Sequence, residues 1–209
     1  MLSGINITSF IMVSKQAKVL SDAQVRAIHA YLKTSRNSKR DVVIFLLSVK
    51  AGLRAKEIAS LTWKMILKSD GTIGETINLV NAASKGKSGR VIAMNKMLQE
   101  SLIELYEIER ERKHFDSDTD FVIRTERSAS TTPQVIVNMF QSWYRRLGLI
   151  GCSSHSGRRT MITNAAKKVS VAGGSLRDVQ LLAGHKSLQT TQRYIEYDTE
   201  AQRRLVNLI

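Results

Sequence analysis

The sequence predicts a mainly helical α+β protein with one small antiparallel sheet. Three observations lead there. Capped, amphipathic windows with a 3.6-residue period run through most of the chain. Only between residues 76 and 94 does the pattern become strand-like, after a turn signal. A hydrophobic content of 43% with a single proline in 209 residues points to one well-filled core and not to a disordered tail.

Residues 1–20 carry no firm period and read as an N-terminal arm. Ser21-Asp22-Ala23-Gln24 is a capping box, and the helix it opens, 22–34, sets Val25, Ile28 and Leu32 on one face. A basic joint from Ser35 to Arg40 leads into a second helix whose run Val42–Val49 reads as buried, with Gly52 as its stop. Arg54 to Leu61 is a short third helix with Ile58 and Leu61 facing inward and Glu57 on the same side as Arg54. Ser69-Asp70-Gly71 is the turn before two strands, Thr76–Val80 and Arg90–Met94. The segment Ala83–Gly89 between them reads as a basic hairpin tip. An acidic helix capped by Asn95 follows, with a stripe of Leu98, Leu102, Leu105 and Ile108. Asp116-Ser117-Asp118 is a loop and Phe121-Val122-Ile123 a short strand. Thr132-Pro133 opens a helix to about Leu147, proline taking the first helical position. Helices at 156–168 and after Ser175, and a last amphipathic piece from Thr199, complete the chain.

The net charge is +14 and its distribution is uneven: +6 over residues 1–40, +4 over 41–94, −4 over 95–126 and +8 over 127–209. A polyanion is the default partner of such a chain, and the negative segment suggests one face turned toward nucleic acid and another away. Cys152 is the only cysteine, which excludes an intrachain disulfide and fits a reducing cytoplasm. The longest apolar run, Val42–Val49, is far too short for a membrane span. The opening Met1-Leu2-Ser3-Gly4-Ile5 lacks a basic secretory leader. Neither Cys-x-x-Cys, His-Glu-x-x-His nor a Walker-type phosphate loop occurs, so neither a cofactor nor a metal is expected. With aromatic residues at 6% and no basic strand interleaved with them, RNA is a poor candidate.

The last third of the chain concentrates histidine, arginine and tyrosine: Ser154-His155-Ser156-Gly157-Arg158-Arg159, then Leu182-Ala183-Gly184-His185, then Thr190-Thr191-Gln192-Arg193-Tyr194. Phosphoryl transfer at a DNA backbone needs a nucleophile, positive charge on the non-bridging oxygens and a proton donor for the leaving 5′ oxygen. Arginine suits the second task, because its planar guanidinium stays charged and grips phosphate bidentately. A lysine on a hairpin suits the third. Tyrosine attacks once its proton is taken and its oxyanion is stabilised.

With these residues in place the chain resembles the catalytic domain of the tyrosine recombinase (phage integrase) family over roughly residues 18–205. That family shares its chemistry with type IB topoisomerases. Gly52-Leu53-Arg54-Ala55-Lys56-Glu57-Ile58 is similar to its first arginine motif. The resemblance makes Arg54 the first phosphate-clamping arginine and Glu57 the acid that supports it. Lys85 falls at the hairpin lysine, proton donor to the leaving oxygen, although Lys87 lies two residues away. His155 and Arg158 match His-x-x-Arg, a proton acceptor or phosphate ligand and the second clamp. His185 matches the histidine that bonds a non-bridging oxygen, and Tyr194, nine residues on, the nucleophile that becomes linked to the 3′ phosphate. Tyr197 is the competing tyrosine. Lys87, Arg90, Arg159, Lys186 and Arg193 are the expected DNA contacts.

Two departures stand out. The family usually has Leu before its second arginine and His after it; Gly157 and Arg159 stand here, and Gly157 is expected to weaken the helix and leave a packing gap. Most relatives also carry an N-terminal clamp domain of about 100 residues, whereas residues 21–209 here are expected to form the catalytic domain with no separate core-binding domain before it. The resemblance implies a site-specific recombinase or integrase acting on double-stranded DNA in the cytoplasm, monomeric when free and a homotetramer on two sites, with a possible accessory DNA-bending or clamp protein. The alternatives are a type IB topoisomerase-like relaxing enzyme and a non-cleaving DNA-binding regulatory protein.

Overall fold

The computed structural model describes residues 17–80, 89–194 and 206–207. Its axis is α2 (Ser38–Val49), every residue of which from Asp41 to Val49 is buried. A helix apolar all round belongs at the centre of a bundle, and α1 (Asp22–Lys33), α3 (Ala55–Ala59), α4 (Lys96–Arg110) and α6 (Ser156–Lys168) all pack against it. Asp41, the one acid in that buried run, is held by the Arg40 guanidinium at 2.8 Å and the Ser35 hydroxyl at 3.0 Å. α3 packs on α5 (Pro133–Arg146). A single 3₁₀ turn, Trp63–Met65, buries Trp63 against Tyr106 and Phe115.

The predicted caps are present. Ser21 and Gln24 exchange both capping-box bonds, Asn95 and Thr132 accept from their helix N-termini, and Ser175 pairs reciprocally with Asp178 ahead of α7 (Leu176–Ala183). β1 (Thr76–Leu79) and β2 (Arg90–Ala93) form a two-stranded antiparallel sheet with Thr76 opposite Ala93 and Leu79 opposite Arg90. The hairpin tip with Lys85 and Lys87, Tyr197 and the start of the last amphipathic piece lie outside the described residues. Three details differ from expectation. Phe121–Ile123 is no strand but a single bridge to Thr62, with Val122 donating to the Leu61 carbonyl. Ile108 leaves the stripe of α4 and is exposed. A further short helix, α8 (Leu188–Gln192), follows α7.

Among the described residues, two apolar clusters result. The large one is built on α1–α5 and the sheet; a small one of Met161, Ile162, Val179 and Ala183 joins α6 to α7. Leu182 packs against both, so the two meet near the end of α7.

Gly157 leaves no gap, contrary to the sequence reading. It is buried where α6 crosses α2, and a Cβ built on it would stand 2.4 Å from Ser48 Oγ and 3.0 Å from Ser48 Cβ. The glycine permits the close crossing that seats the next residue, Arg158. Overpacking costs about 1–3 kcal/mol, against roughly 1 kcal/mol gained in helix propensity. Gly157→Ala should therefore lower the urea midpoint, and Ser48→Ala in the same chain should recover part of the loss. An unchanged or higher midpoint for the single variant would refute the tight crossing.

Candidate active site for phosphoryl transfer

The turn that ends α2 builds the first half of the site. Leu53 N–H donates to Leu47 and Gly52 N–H to Ser48, with Gly52 in the left-handed region at φ 66°. This turn delivers Arg54 to the start of α3, where its own N–H is accepted by Glu57 Oε2 at 2.8 Å. Its guanidinium meets Glu57 Oε1 at 2.9 Å.

Glu57 is completely buried and holds two arginines, not one. Arg90, at the start of β2, donates to Oε1 at 2.9 Å and to Oε2 at 3.2 Å, and its Nε reaches the Leu182 carbonyl at 3.2 Å. The Arg90 side chain is only 7% exposed. This corrects its assignment as a DNA contact: it ties the strand pair to Glu57 and to the end of α7. Gly184 makes room for it, since a Cβ there would come 3.0 Å from the Arg90 side chain.

Burial pushes the Glu57 carboxyl up, but the Arg90 hydrogen bond and charge, with the Arg54 N–H and charge, outweigh it, so the group sits below its ordinary 4.5. A depressed folded-state value means that its stabilising contribution is present above the unfolded-state value and is lost as pH falls through the depressed one. Removing one partner of a buried ionic set costs about 3–5 kcal/mol. Glu57→Ala should unfold at correspondingly lower denaturant, and Glu57→Gln should lack the wild type's loss of stability in acid. Denaturation at pH 7 and through a series of pH values falling below 4.5 checks both; an alanine variant as stable as wild type would mean the carboxylate is dispensable.

Arg158 builds the second half. It is 4% exposed, and its two terminal nitrogens donate to the carbonyls of Gly52 and Ala183, the latter at 2.7 Å. It therefore links the turn after α2 to the end of α7. Burial first, then the charges of Arg54 and Arg90, lower its pKa to about 10, which leaves it a cation at neutral pH.

α7 ends at Gly184, left-handed at φ 62°. There His185 N–H donates back to Gln180 O at 3.1 Å, the glycine-capped turn that aims His185 off the helix end. The Gln180 amide returns a bond to the His185 carbonyl at 2.9 Å. Burial, followed by the charges of Arg158, Arg54 and Arg90, holds the imidazole down to about 4, so it is neutral at pH 7. Its ring stacks on Tyr194, with centroids 5.2 Å apart and planes at 27°. Its Nδ1 lies 3.0 Å from Thr191 Oγ1 on α8.

His155, exposed at the N-terminus of α6, lines an open cleft of about 420 Å³ with Arg158, Arg159, Arg193, Tyr194 and Ala17. Lys186 and Arg193 are exposed and Arg159 is partly buried. The structure thus brings Arg54, Glu57, Arg158, His185 and Tyr194 into one array and sets His155, Arg159 and Arg193 along its cleft. Lys85 and Lys87 fall outside the described residues. Sequence reasoning missed the inward position of Arg90 and the contacts of Gln180 and Thr191. The signal for Arg90 was present, because it shares the inward phase of β2 with fully buried Ile92. Among the described residues, no helix is long and apolar enough to cross a membrane, and no three His, Cys, Asp or Glu side chains are grouped to hold a metal ion.

The phage integrase family pattern matches residues 18–201. The tyrosine recombinase XerA of Thermococcus onnurineus is 29% identical over 190 residues, covering 90% of this chain and 61% of that protein. The tyrosine recombinase XerC of Chlamydia pneumoniae is 30% identical over 184 residues, covering 87% of this chain and 55% of the relative. The chain thus spans roughly three-fifths of the length of these curated relatives, or somewhat less. Among solved structures, the Tn1549 transposon integrase in complex with a circular-intermediate DNA superposes with a TM-score of 0.72 at 18% identity, over 93% of this chain and 66% of that one.

Proposed function

This chain belongs to the phage integrase family, and from that premise we propose that it is the catalytic domain of a site-specific DNA recombinase or integrase. It cleaves and rejoins double-stranded DNA through a 3′-phosphotyrosyl intermediate. The observation that supports this best is the stack of Tyr194 on a neutral His185 beside buried Arg158, with Arg54 and Glu57 in the same array.

In the proposed step the Tyr194 oxygen attacks phosphorus and loses its proton, and His155 is the candidate acceptor. The bond from phosphorus to the 5′ oxygen breaks, and that oxygen leaves as a hydroxyl with a proton from Lys85. Arg54 and Arg158 hold the non-bridging oxygens as charge builds on them, and His185 donates to one of them. Glu57, gripped by Arg90, keeps Arg54 in place. Rejoining is the reverse, with a 5′ hydroxyl displacing tyrosine. Lys87, Arg159, Lys186 and Arg193 hold the flanking DNA, and Arg90 acts behind them as a positioning residue.

A randomised pool of nicked duplexes tests this reading. Denaturing gels after incubation should show protein covalently joined to DNA, and sequencing the joined fraction should return a preferred site. No joined fraction at any site would favour the non-cleaving reading, and adducts with no preferred site would favour a relaxing enzyme. On the site found, a 5′-bridging phosphorothiolate, whose leaving group needs little protonation, should rescue Lys85→Ala but not Lys87→Ala or the loss of Tyr194. If it does not rescue Lys85→Ala, the proton comes from elsewhere. Four protomers on two duplexes, monomeric when free and aided by a DNA-bending or clamp partner, is the assembly we infer. Sedimentation with and without two-site DNA reads the protomer count directly.

A further inference from the structure

We propose that Thr191 is a positioning residue that sets the tautomer of His185: its buried hydroxyl donates to Nδ1, so that Nε2 carries the proton and can donate to a non-bridging phosphate oxygen. The use made of that donor rests on the recombinase reading; the tautomer itself does not.

His185 faces three cations from three elements, Arg158 on α6, Arg54 at the start of α3 and Arg90 on β2, and stacks on the Tyr194 ring. Its partial burial, and then these charges, keep it neutral, so one nitrogen carries hydrogen and the other accepts. Which one depends on the partner of Nδ1. Thr191 Oγ1 lies 3.0 Å from Nδ1, and Thr191 is fully buried. A buried hydroxyl needs an acceptor for its proton. Among the described residues Nδ1 is the group within hydrogen-bond distance of Oγ1. If Nδ1 carried the hydrogen it would donate to Oγ1, and the Thr191 proton would be left without an acceptor among the described residues.

The rest of the surroundings fix the backbone and not the ring. Gln180, itself bonded by Arg177 at 2.9 Å, holds the N–H and the carbonyl of His185. Among the described residues, the ring's orientation is left to the Tyr194 stack and to Thr191. Thr191 is the fourth of the five residues of α8, which ends at Gln192, directly before Arg193 and Tyr194. One hydroxyl therefore ties the histidine proposed to donate to the phosphate oxygen to the helix that ends just before Tyr194.

The test uses the full chain labelled with ¹⁵N-histidine, with His185→Asn identifying the His185 signals. Long-range ¹H–¹⁵N spectra of the wild type should show protonated Nε2 and bare Nδ1 from pH 7.5 to below pH 5. Thr191→Val should lose this single tautomer, and Thr191→Ser should keep it. Single-turnover cleavage should fall roughly tenfold to a hundredfold in Thr191→Val, less than for loss of an oxyanion donor outright, with DNA affinity unchanged and Thr191→Ser near wild type. A wild type with hydrogen on Nδ1, or a valine variant with an unchanged tautomer, overturns the proposal. Should the valine variant fail to fold, the wild-type and serine spectra still decide it. A wild type that shows the Nε2–H tautomer yet never joins to DNA would instead remove the recombinase reading and leave the tautomer assignment standing.

Discussion

Replacing Arg54 by alanine should lower strand cleavage by about two to three orders of magnitude, as loss of one oxyanion donor typically does, while most DNA affinity survives. The Arg54 side chain is 24% exposed, and its partner Glu57 keeps both bonds from Arg90 when Arg54 is removed. The variant should therefore fold. Affinity draws on the many other cations of a +14 chain, each phosphate contact adding to binding and its salt dependence. On the recombinase reading, the Arg54 charge is expected to matter most where negative charge develops, in the transition state. Arg158→Ala should lose cleavage at least as severely but is a less clean experiment. It strips the donors from the Gly52 and Ala183 carbonyls, and each buried acceptor left bare costs about 1–3 kcal/mol. Arg158→Lys keeps a cation there but cannot bridge both carbonyls in the same fork. Equilibrium binding beside single-turnover cleavage separates the cases. If affinity and cleavage fall in parallel for Arg54→Ala, the arginine is a binding residue only.

The sequence made the local structure legible because its determinants are local. Ser21 with Gln24, Thr132 with Pro133 and Ser175 with Asp178 each announce a helix start within four residues. The apolar run of α2 announces its own burial. The Gly184-His185 to Tyr194 interval and His155-x-x-Arg158 were readable for the same reason, as spacings along one stretch of chain. What stayed hidden depends on partners far apart in sequence. The fit of Gly157 depends on Ser48, and nothing near residue 157 reveals that a helix more than a hundred residues earlier will lie against it. Arg90 looked like a DNA contact because it borders a basic hairpin. Its partner Glu57 is 33 positions earlier and the Leu182 carbonyl 92 later. The strand phase of Arg90 pointed inward, and an inward arginine requires a buried acid. Thr191 read as part of the approach to Tyr194; its hydroxyl's bond to His185 follows from the turn at Gly184, which brings α8 back beside the end of α7.

Loss of the Tyr194 hydroxyl carries the largest expected effect. In Tyr194→Phe the ring that stacks on His185 remains, and the Tyr194 backbone carbonyl still accepts from Thr163 at 3.3 Å. The fold and DNA binding should therefore be retained while covalent joining disappears. Tyr197→Phe should join DNA as the wild type does. The most direct measurement is to trap the protein on a nicked suicide substrate, digest it, and identify the DNA-linked peptide by mass spectrometry. The phosphate should be found on Tyr194. Linkage at Tyr197, or undiminished adduct in Tyr194→Phe, would contradict it.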